Sequence, residues 1–479
     1  MSQEKVRVRV APSPTGDPHL GLAYITLFNY AFASKHGGDL ILRIEDTDRS
    51  RYKSSSEAKM IKCLKWLGLN WQEGPDVGGD LGPYRQSERT DIYKKHIDQL
   101  LDKKAAYHCF CSAERLDEMR TSQRKKGTRL GYDRLCRSLS KETVAKNLQK
   151  GLSSVVRFKM PTEGKSVFHD VLRKKIEIDY SQLDDQVLLK SDGFPTYHLA
   201  SVVDDHLMKI SHVIRAEEWI SSTPKHVALY EAFAWEQPKF VHLPLLRNND
   251  RSKISKRKNP TSIELYQYKG ILPQAMINFL ALMGWAYDDK TEIFSLEQMV
   301  KRFKIEDIHL GGPVFDQQKL LWLNQHYIKE LAKDSFVSHM RDQVFSANYL
   351  EKLYPLVRDR LESFDQFVDK FAFFFSGELV YDNLAIVPKT KTSKEMKDMF
   401  KDLLIILDEM EDWEENFLQD ALANYLKKLN WKPKEFYMPI RFVTTGRKDS
   451  PPLVPTLVVL GREMVRYRIQ SVLKSDIMT

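Results

Sequence analysis

The first 45 residues constrain the fold most, because strand and helix patterns alternate there around one turn rich in proline and glycine. Three valines alternate with arginines over residues 6–10, which is the period of a half-buried strand. Residues 20–36 follow a helical pattern that ends at a Gly-Gly pair, and residues 39–44 form an apolar run typical of a buried strand. Strands that alternate with helices of this length predict a parallel α/β sheet.

Length, hydropathy and charge narrow the class of protein. The 479 residues are enough for roughly three domains. No apolar stretch approaches a membrane span of about 18 residues, and the start lacks the apolar core of a secretory signal, so we expect a cytoplasmic protein that is independent of membranes. Lys plus Arg exceed Asp plus Glu by 74 to 65, and the net charge of +9 is compatible with a polyanionic partner.

The rhythm of strands and helices breaks between residues 106 and 185. This stretch holds three of the four cysteines and a basic run over residues 120–137, and we interpret it as an insertion in the sheet. Strand patterns resume at 186–190 and 212–215, and the chain is helical after about residue 330. The sequence therefore predicts a Rossmann-type parallel-sheet α/β domain, split by an insertion and followed by an all-α C-terminal region.

The turn His19-Leu-Gly-Leu22 lies between the first strand and the first helix. Ligands bind at this edge of a parallel sheet, and the free N–H groups and dipole of a helix N-terminus favour anions. Gly21 lets a phosphate or a flat ring approach the backbone, and His19 can donate a hydrogen bond to a phosphate oxygen. On the triplet alone, ordinary turn residues are the simpler interpretation, because short motifs give many false matches.

A second segment, residues 247–258, contains six basic residues and one acidic residue, a local charge of +5. Its Asn, Asp and Ser residues predict a loop. A mobile loop with closely spaced lysines can close on a triphosphate and stabilise charge that develops in a transition state. A basic patch that faces nucleic acid or solvent is the alternative.

Taken together, the His-x-Gly turn and the Lys-x-x-Lys loop resemble the HIGH and KMSKS signatures of class I aminoacyl-tRNA synthetases. Further segments narrow the resemblance to bacterial-type glutamyl-tRNA synthetases. They occur in this order: Arg9-Val-Ala-Pro-Ser-Pro-Thr-Gly16, Leu42-Arg-Ile-Glu-Asp-Thr-Asp48, Gly82-Pro-Tyr-Arg-Gln-Ser-Glu-Arg89, Lys190-Ser-Asp-Gly-Phe-Pro-Thr-Tyr197 and Lys253-Ile-Ser-Lys-Arg257. The last 150 residues match more loosely, through Met438-Pro-Ile-Arg441 and Leu460-Gly-Arg-Glu463.

The resemblance implies ATP-dependent ligation of L-glutamate to the terminal adenosine of its tRNA through a glutamyl-adenylate, with release of AMP and diphosphate. A carboxylate with a pKa of about 4 is ionised at neutral pH, so the first step needs positioning and charge stabilisation rather than a side-chain base. By resemblance, His19, Lys253 and Lys256 contact the phosphates and the transition state. ATP carries Mg²⁺ and is bound by these three residues together with Gly21, Glu218, Trp219 and Ser255.

The same resemblance supplies candidates for binding the glutamate itself. They are Arg9, Ser13, Glu45, Tyr197, Ser201 and Arg215. Arg9 and Arg215 suit the two carboxylates, and Glu45 suits the ammonium group. Ser201 stands where the family commonly has the longer Asn. Considered singly, Arg9 would be interpreted as an exposed strand residue and Glu45 as an N-cap or surface acid, and only the motif context favours the binding roles.

The cysteine cluster predicts a structural zinc site. Cys109, Cys111 and Cys136 are three soft ligands within 28 residues, and zinc prefers four. Zinc-containing members of the family often carry His two residues after the third Cys, where this chain has Ser138. Tyr132 is the leading alternative for the fourth ligand, because a Tyr-x₃-Cys pair ligates zinc in a related glutamyl-transfer enzyme. A metal-free insert with reduced thiols is the alternative to zinc.

The resemblance also assigns roles along the chain. Residues 1–105 and 186–257 are the two halves of the catalytic domain, 106–185 bind the tRNA acceptor end, 258–330 contact the tRNA stem and 331–479 read the anticodon. We expect a monomer whose partners are tRNA-Glu, L-glutamate and ATP.

Arg358 and Arg360 are candidates for the anticodon contact, with a solvated arginine as the alternative.

Three other classes of protein share parts of this pattern. A cytidylyltransferase has the His-x-Gly turn but no helical appendage of this length. The queuosine-modifying glutamyl transferase lacks an anticodon-binding region, and a glutaminyl enzyme has a C-terminal β-barrel. A synthetase-derived RNA-binding protein that is not an enzyme would be expected to lose His19 or the lysine pair, and this chain keeps all three residues.

Overall fold

The computed structural model describes residues 5–248, 250–252, 254, 261–381 and 386–478. The chain forms two compact units: Met1–Arg251 with Ile277–Phe315, and Ser252–Met276 with Asp316–Thr479. Among the described residues, every helix is too short or too polar to cross a bilayer.

The strands all lie in the first unit. They are β1 Arg7–Val10, β2 Asp39–Leu42, β3 Ala106–Cys109, β4 Val155–Phe158, β5 Lys165–Asp170, β6 Lys174–Asp179, β7 Val187–Leu189, β8 His212–Ala216 and β9 Lys239–Leu243. The helices of the same unit up to the basic loop are α1 Leu20–Lys35, α2 Ser54–Trp66, α3 Thr90–Asp102, α4 Ala113–Lys125, α5 Lys141–Gln149, α6 Tyr197–Leu207 and α7 Thr223–Phe233.

Parallel pairing organises the strands around the site. β1 pairs with β2, and β8 pairs with β9. The N–H of Ser211, directly before β8, donates to the carbonyl of Arg7 in β1 at 2.9 Å, which links the two pairs. The predicted fold class is confirmed: a parallel α/β sheet is followed by a helical C-terminal region.

The stretch 106–185 divides between two sheets. β3, β4 and β7 form an antiparallel sheet in which β4 pairs with both neighbours, so the strand predicted at 186–190 joins this sheet. β5 and β6 form a hairpin that extends the β8–β9 pair, with Asp170 opposite Phe240 of β9. The hairpin therefore delivers Asp170 to the sheet that carries the site.

The remaining helices are α8 Ile263–Tyr268, α9 Pro273–Leu282, α10 Leu296–Arg302, α11 Gln317–Lys329, α12 Lys333–His339, α13 Ala347–Val357, α14 Gln366–Phe371, α15 Ser393–Glu409, α16 Glu415–Leu429, α17 Pro433–Thr445, α18 Leu453–Leu460 and α19 Arg462–Lys474. α15 shows why they form: Thr392 and Glu395 make a capping box at its start, and its buried positions recur at helical spacing. The helices from α13 onward enclose an apolar core that also includes Leu265 of α8.

Candidate active site

The His-x-Gly turn forms the N-terminus of α1. His19 is the residue that caps the helix, and its Nδ1 accepts the backbone N–H of Leu22 at 3.3 Å. Because Nδ1 is the acceptor, the ring proton lies on Nε2, which can donate to a phosphate oxygen. A Cβ on Gly21 would lie 3.1 Å from two atoms of the His19 ring, so the glycine makes room for this ring position.

Arg9, at the end of β1, lies in a buried network of alternating charges. Its Nε donates to Asp205 Oδ1 at 3.0 Å, and Arg43 Nη1 donates to the same oxygen at 2.7 Å. Arg43 also reaches Glu45 at 3.3 Å, and its Nε lies 3.9 Å from Asp204. The sheet edge therefore holds Arg9 and Glu45 in one network through Asp205 and Arg43.

Glu45 is buried with an exposed fraction of 8%. Burial raises the pKa of Glu45 to about 7, although Arg43 and Arg9 pull it down. The carboxylate is therefore ionised above neutral pH and is available there to bind a cation such as an ammonium group.

Arg215, near the end of β8, donates to neutral groups. Its Nε bonds His242 at 3.1 Å, its Nη1 bonds the hydroxyl of Tyr197 at 3.0 Å and Nδ1 of His226 at 3.3 Å, and its Nη2 bonds Thr223 at 2.8 Å. Burial lowers the pKa of both histidines, so they are neutral. Among the described residues these partners are all neutral, so the positive charge of this buried arginine is available to a ligand anion.

Tyr197 contacts both Trp219 and Arg215. Its ring packs against Trp219 with centroids 4.4 Å apart, and its hydroxyl accepts from Arg215. Burial raises the pKa of Tyr197, and the charges of Arg215, Glu45 and Arg9 act on its hydroxyl from nearby.

Other predicted residues lie at the margins of this arrangement. Ser13 and Glu218 are exposed. Ser201 is fully buried in α6, and its Oγ has no hydrogen-bond partner within the described part of the chain. Lys253, Ser255 and Lys256 lie outside the described residues.

Sequence analysis missed four buried residues of the networks around Arg9 and Arg215. Asp204 and Asp205 are adjacent acids in an otherwise apolar helix, and this pattern could have signalled buried partners. Asp170 and His242 are a carboxylate and a histidine on two strands, and nothing in the sequence pairs them.

The cysteine cluster brings the predicted ligands together. Cys111 Sγ lies 3.6 Å from Cys136 Sγ, and the hydroxyl of Tyr132 lies 3.3 Å from Cys109 Sγ and 3.5 Å from Cys111 Sγ. Tetrahedral zinc has edges of about 3.8 Å between sulfurs and about 3.5 Å between sulfur and oxygen. The three distances are compatible with such an ion, the three Sγ atoms lie within 4.8 Å of one another, and Ser138 is exposed.

The helical unit places Arg358 and Arg360 directly after α13. Arg358 lies over the ring of Tyr354 at 5.3 Å, and Arg360 lies 3.6 Å from Asp449. Both guanidinium groups are solvent-exposed.

Comparisons with known proteins cover almost the whole chain. Residues 5–322 match the family described as "tRNA synthetases class I (E and Q), catalytic domain", and residues 326–473 match "Anticodon binding domain". A glutamate–tRNA ligase from Pseudomonas putida (strain GB-1) is 46% identical over 98% of this chain and 95% of its own length. One from Fusobacterium nucleatum is 46% identical, with 98% of each chain covered.

A solved structure agrees. The crystal structure of a glutamate–tRNA ligase from Elizabethkingia meningosepticum in complex with its amino acid has a TM-score of 0.67 and 34% identity, and covers 99% of this chain and 100% of its own.

Proposed function

The chain belongs to the class I tRNA synthetases of the E and Q group, and from this membership we propose that it acts as a glutamate–tRNA ligase. Its relatives of this activity match it over nearly their full length, anticodon-binding region included. The observation that supports the amino-acid specificity is the set of two buried arginines, Arg9 and Arg215, and one buried carboxylate, Glu45, near Tyr197.

In the first step, the α-carboxylate of glutamate attacks the α-phosphorus of ATP and diphosphate leaves. The nucleophile is already ionised, so the protein's task is to orient it and to stabilise charge on the phosphates. We assign phosphate contacts to His19, through its Nε2 proton, and to Lys253 and Lys256. Mg²⁺ enters with ATP and is held mainly by phosphate oxygens and water.

In the pocket, the two carboxylates of glutamate bind Arg9 and Arg215, and its ammonium group binds Glu45. The hydroxyl of Tyr197, which already accepts from Arg215, lines the site, and Ser13 is assigned to it as well. Ser201, four residues after Tyr197 in α6, is assigned a place beside the site without a direct bond to glutamate. Guanidinium groups suit carboxylates because their planar donors match the two oxygens.

The adenosine of ATP is assigned to Glu218 and Trp219, and Gly21 and Ser255 are further residues assigned to ATP binding. Trp219 packs against Tyr197, so residues assigned to the adenosine and to glutamate are in direct contact.

In the second step, a ribose hydroxyl of the terminal tRNA adenosine takes the glutamyl group and AMP leaves. Residues 106–185 bind the acceptor end, 258–330 the stem and 331–479 the anticodon, with Arg358 and Arg360 as base contacts. The catalytic halves are residues 1–105 and 186–257. The enzyme works as a monomer in the cytoplasm.

Zinc bound by Cys109, Cys111, Cys136 and Tyr132 would cross-link the inserted segment. Metal analysis of the purified chain should give one zinc per molecule, and Cys136→Ser should remove it. Cys63→Ser is the matched control, because Cys63 is buried in α2, separate in sequence from the cluster. Zinc retained in full by Cys136→Ser would rule out this ligand set.

The test of the activity is aminoacylation of purified glutamate and glutamine tRNAs with labelled glutamate. Charging of the glutamate tRNA is expected, and its absence with active tRNA and ATP would overturn the proposal. The glutamine tRNA reports whether the enzyme charges one tRNA or both.

A further inference from the structure

We infer that Asp170 and His242 are positioning residues that hold Arg215 in the geometry needed to bind a carboxylate of glutamate. The inference deepens the proposed function and rests on it. Both residues lie outside the motifs that carry the family resemblance.

The register of β5 against β9 places Asp170 beside His242. Asp170 is the last residue of β5 and pairs with Phe240, so its carboxylate lies beside His242, two residues further along β9. Asp170 Oδ2 accepts the backbone N–H of His242 at 3.0 Å and lies 2.7 Å from its Nδ1. Both side chains are fully buried.

The contact with Asp170 decides which ring nitrogen of His242 carries the proton. Both oxygens of Asp170 already accept backbone N–H groups, so Nδ1 of neutral His242 is the donor to Oδ2 and carries the ring proton. Asp170 Oδ1 accepts the backbone N–H groups of Leu172 and Arg173, at 3.0 and 2.8 Å, which fixes the carboxylate. Nε2 of His242 is therefore left as a lone-pair acceptor.

Arg215 uses this acceptor: its Nε donates to Nε2 of His242 at 3.1 Å. Thr223 supports the same geometry: its Oγ1 accepts from Arg215 Nη2 at 2.8 Å and donates to the carbonyl of Trp219 at 3.0 Å. A neutral acceptor orients the guanidinium without neutralising it, whereas a carboxylate in this position would compete with the substrate. The histidine thus separates Arg215 from the negative charge of Asp170.

Two substitutions of His242 separate these contacts. In His242→Asn, the short amide can keep the hydrogen bond to Asp170 but does not reach Arg215. In His242→Gln, the longer amide can place its oxygen where Nε2 lay and keep the acceptor for Arg215. Asp170→Asn removes the anion that fixes the ring proton, so the imidazole can turn its N–H toward Arg215.

The experiment measures the KM for glutamate, the KM for ATP and kcat in aminoacylation by the full-length chain, with thermal unfolding of each variant. His242→Asn and Asp170→Asn should raise the KM for glutamate about tenfold or more, because a hydrogen bond to a charged group is lost, and leave the KM for ATP within about twofold. His242→Gln should recover most of the affinity for glutamate. His169→Asn, on the exposed face of β5, is the matched control and should behave like the wild type.

A KM for glutamate within about twofold of the wild type in His242→Asn would overturn the inference, as would equal increases in both KM values. So would no recovery in His242→Gln when its unfolding temperature equals that of the wild type. If the wild-type chain itself fails to charge tRNA with glutamate, the proposed function fails instead, and the two failures are thereby distinguished.

Discussion

The two buried arginines of the amino-acid pocket have opposite electrostatic surroundings. Arg9, on the β1 side, donates to the carboxylate of Asp205, which Arg43 shares. Arg215, on the β8 side, donates to a tyrosine, a threonine and two neutral histidines. A compensated arginine contributes to the stability of the fold, whereas an uncompensated one is costly until an anion arrives. The difference makes Arg215 the main electrostatic anchor for the substrate and Arg9 a shared structural and binding residue.

The largest expected effect tests this difference directly. Arg215→Ala should lower kcat/KM for glutamate about 10³-fold, since losing one partner of a buried charge pair costs about 3–5 kcal/mol. Its unfolding temperature should fall less than that of Arg9→Ala, because the buried cation that is removed has no carboxylate partner among the described residues. Aminoacylation and thermal unfolding measure the two effects. Arg9→Ala is the comparison, and it should lose stability as well as activity; a greater loss of stability in Arg215→Ala would reverse our interpretation.

Asp205→Asn breaks the compensated side. It leaves Arg9 and Arg43 buried without their shared carboxylate, and the free energy of unfolding should fall by about 3 kcal/mol. Denaturant titration measures this, with Asp91→Asn as control, because the side chain of Asp91 is 96% exposed. A loss no larger than that of the control would show that the Arg9 network does not stabilise the fold.

Glu45 gives the pocket a pH dependence. Since its pKa is raised to about 7 and the ionised form binds the ammonium group, the fraction able to bind glutamate falls as the pH drops through 7. The KM for glutamate should rise about tenfold per pH unit below that point, and the KM for ATP serves as the internal control. In Glu45→Gln, this dependence should disappear at a uniformly high KM. A wild-type profile that is flat from pH 8 to about pH 5.5, with glutamate affinity retained, would argue against the ammonium assignment.

The smallest effect is expected at Ser201. Its buried hydroxyl has no partner among the described residues, so Ser201→Ala should raise the free energy of unfolding by up to about 1 kcal/mol. Calorimetry and the KM for glutamate test it. An increase in the KM for glutamate above about tenfold would show that the Ser201 hydroxyl bonds the substrate directly.

Much of the fold could be predicted from local pattern. The alternation of valines with arginines gave β1, and the glycine pair after residue 36 ended α1. The segment 106–185 was harder, because its hairpin β5–β6 joins β9 and its strand β4 joins β7. Strand pairing between distant segments has no local signature, and for the same reason Asp170 and His242 could not be joined in advance.

The sequence by itself determined the family, the chemistry and the candidate residues, because the motifs that contact substrates have fixed residue types at short spacing. Only the tertiary structure decided which of those residues have a charged partner and which have neutral ones. Arg9 and Arg215 are the same residue type, each near the end of a buried strand, and they differ only through partners that lie 196 and 27 positions away, Asp205 and His242. Burial makes those partners decisive, since at low dielectric a charge is governed by the few groups in contact with it.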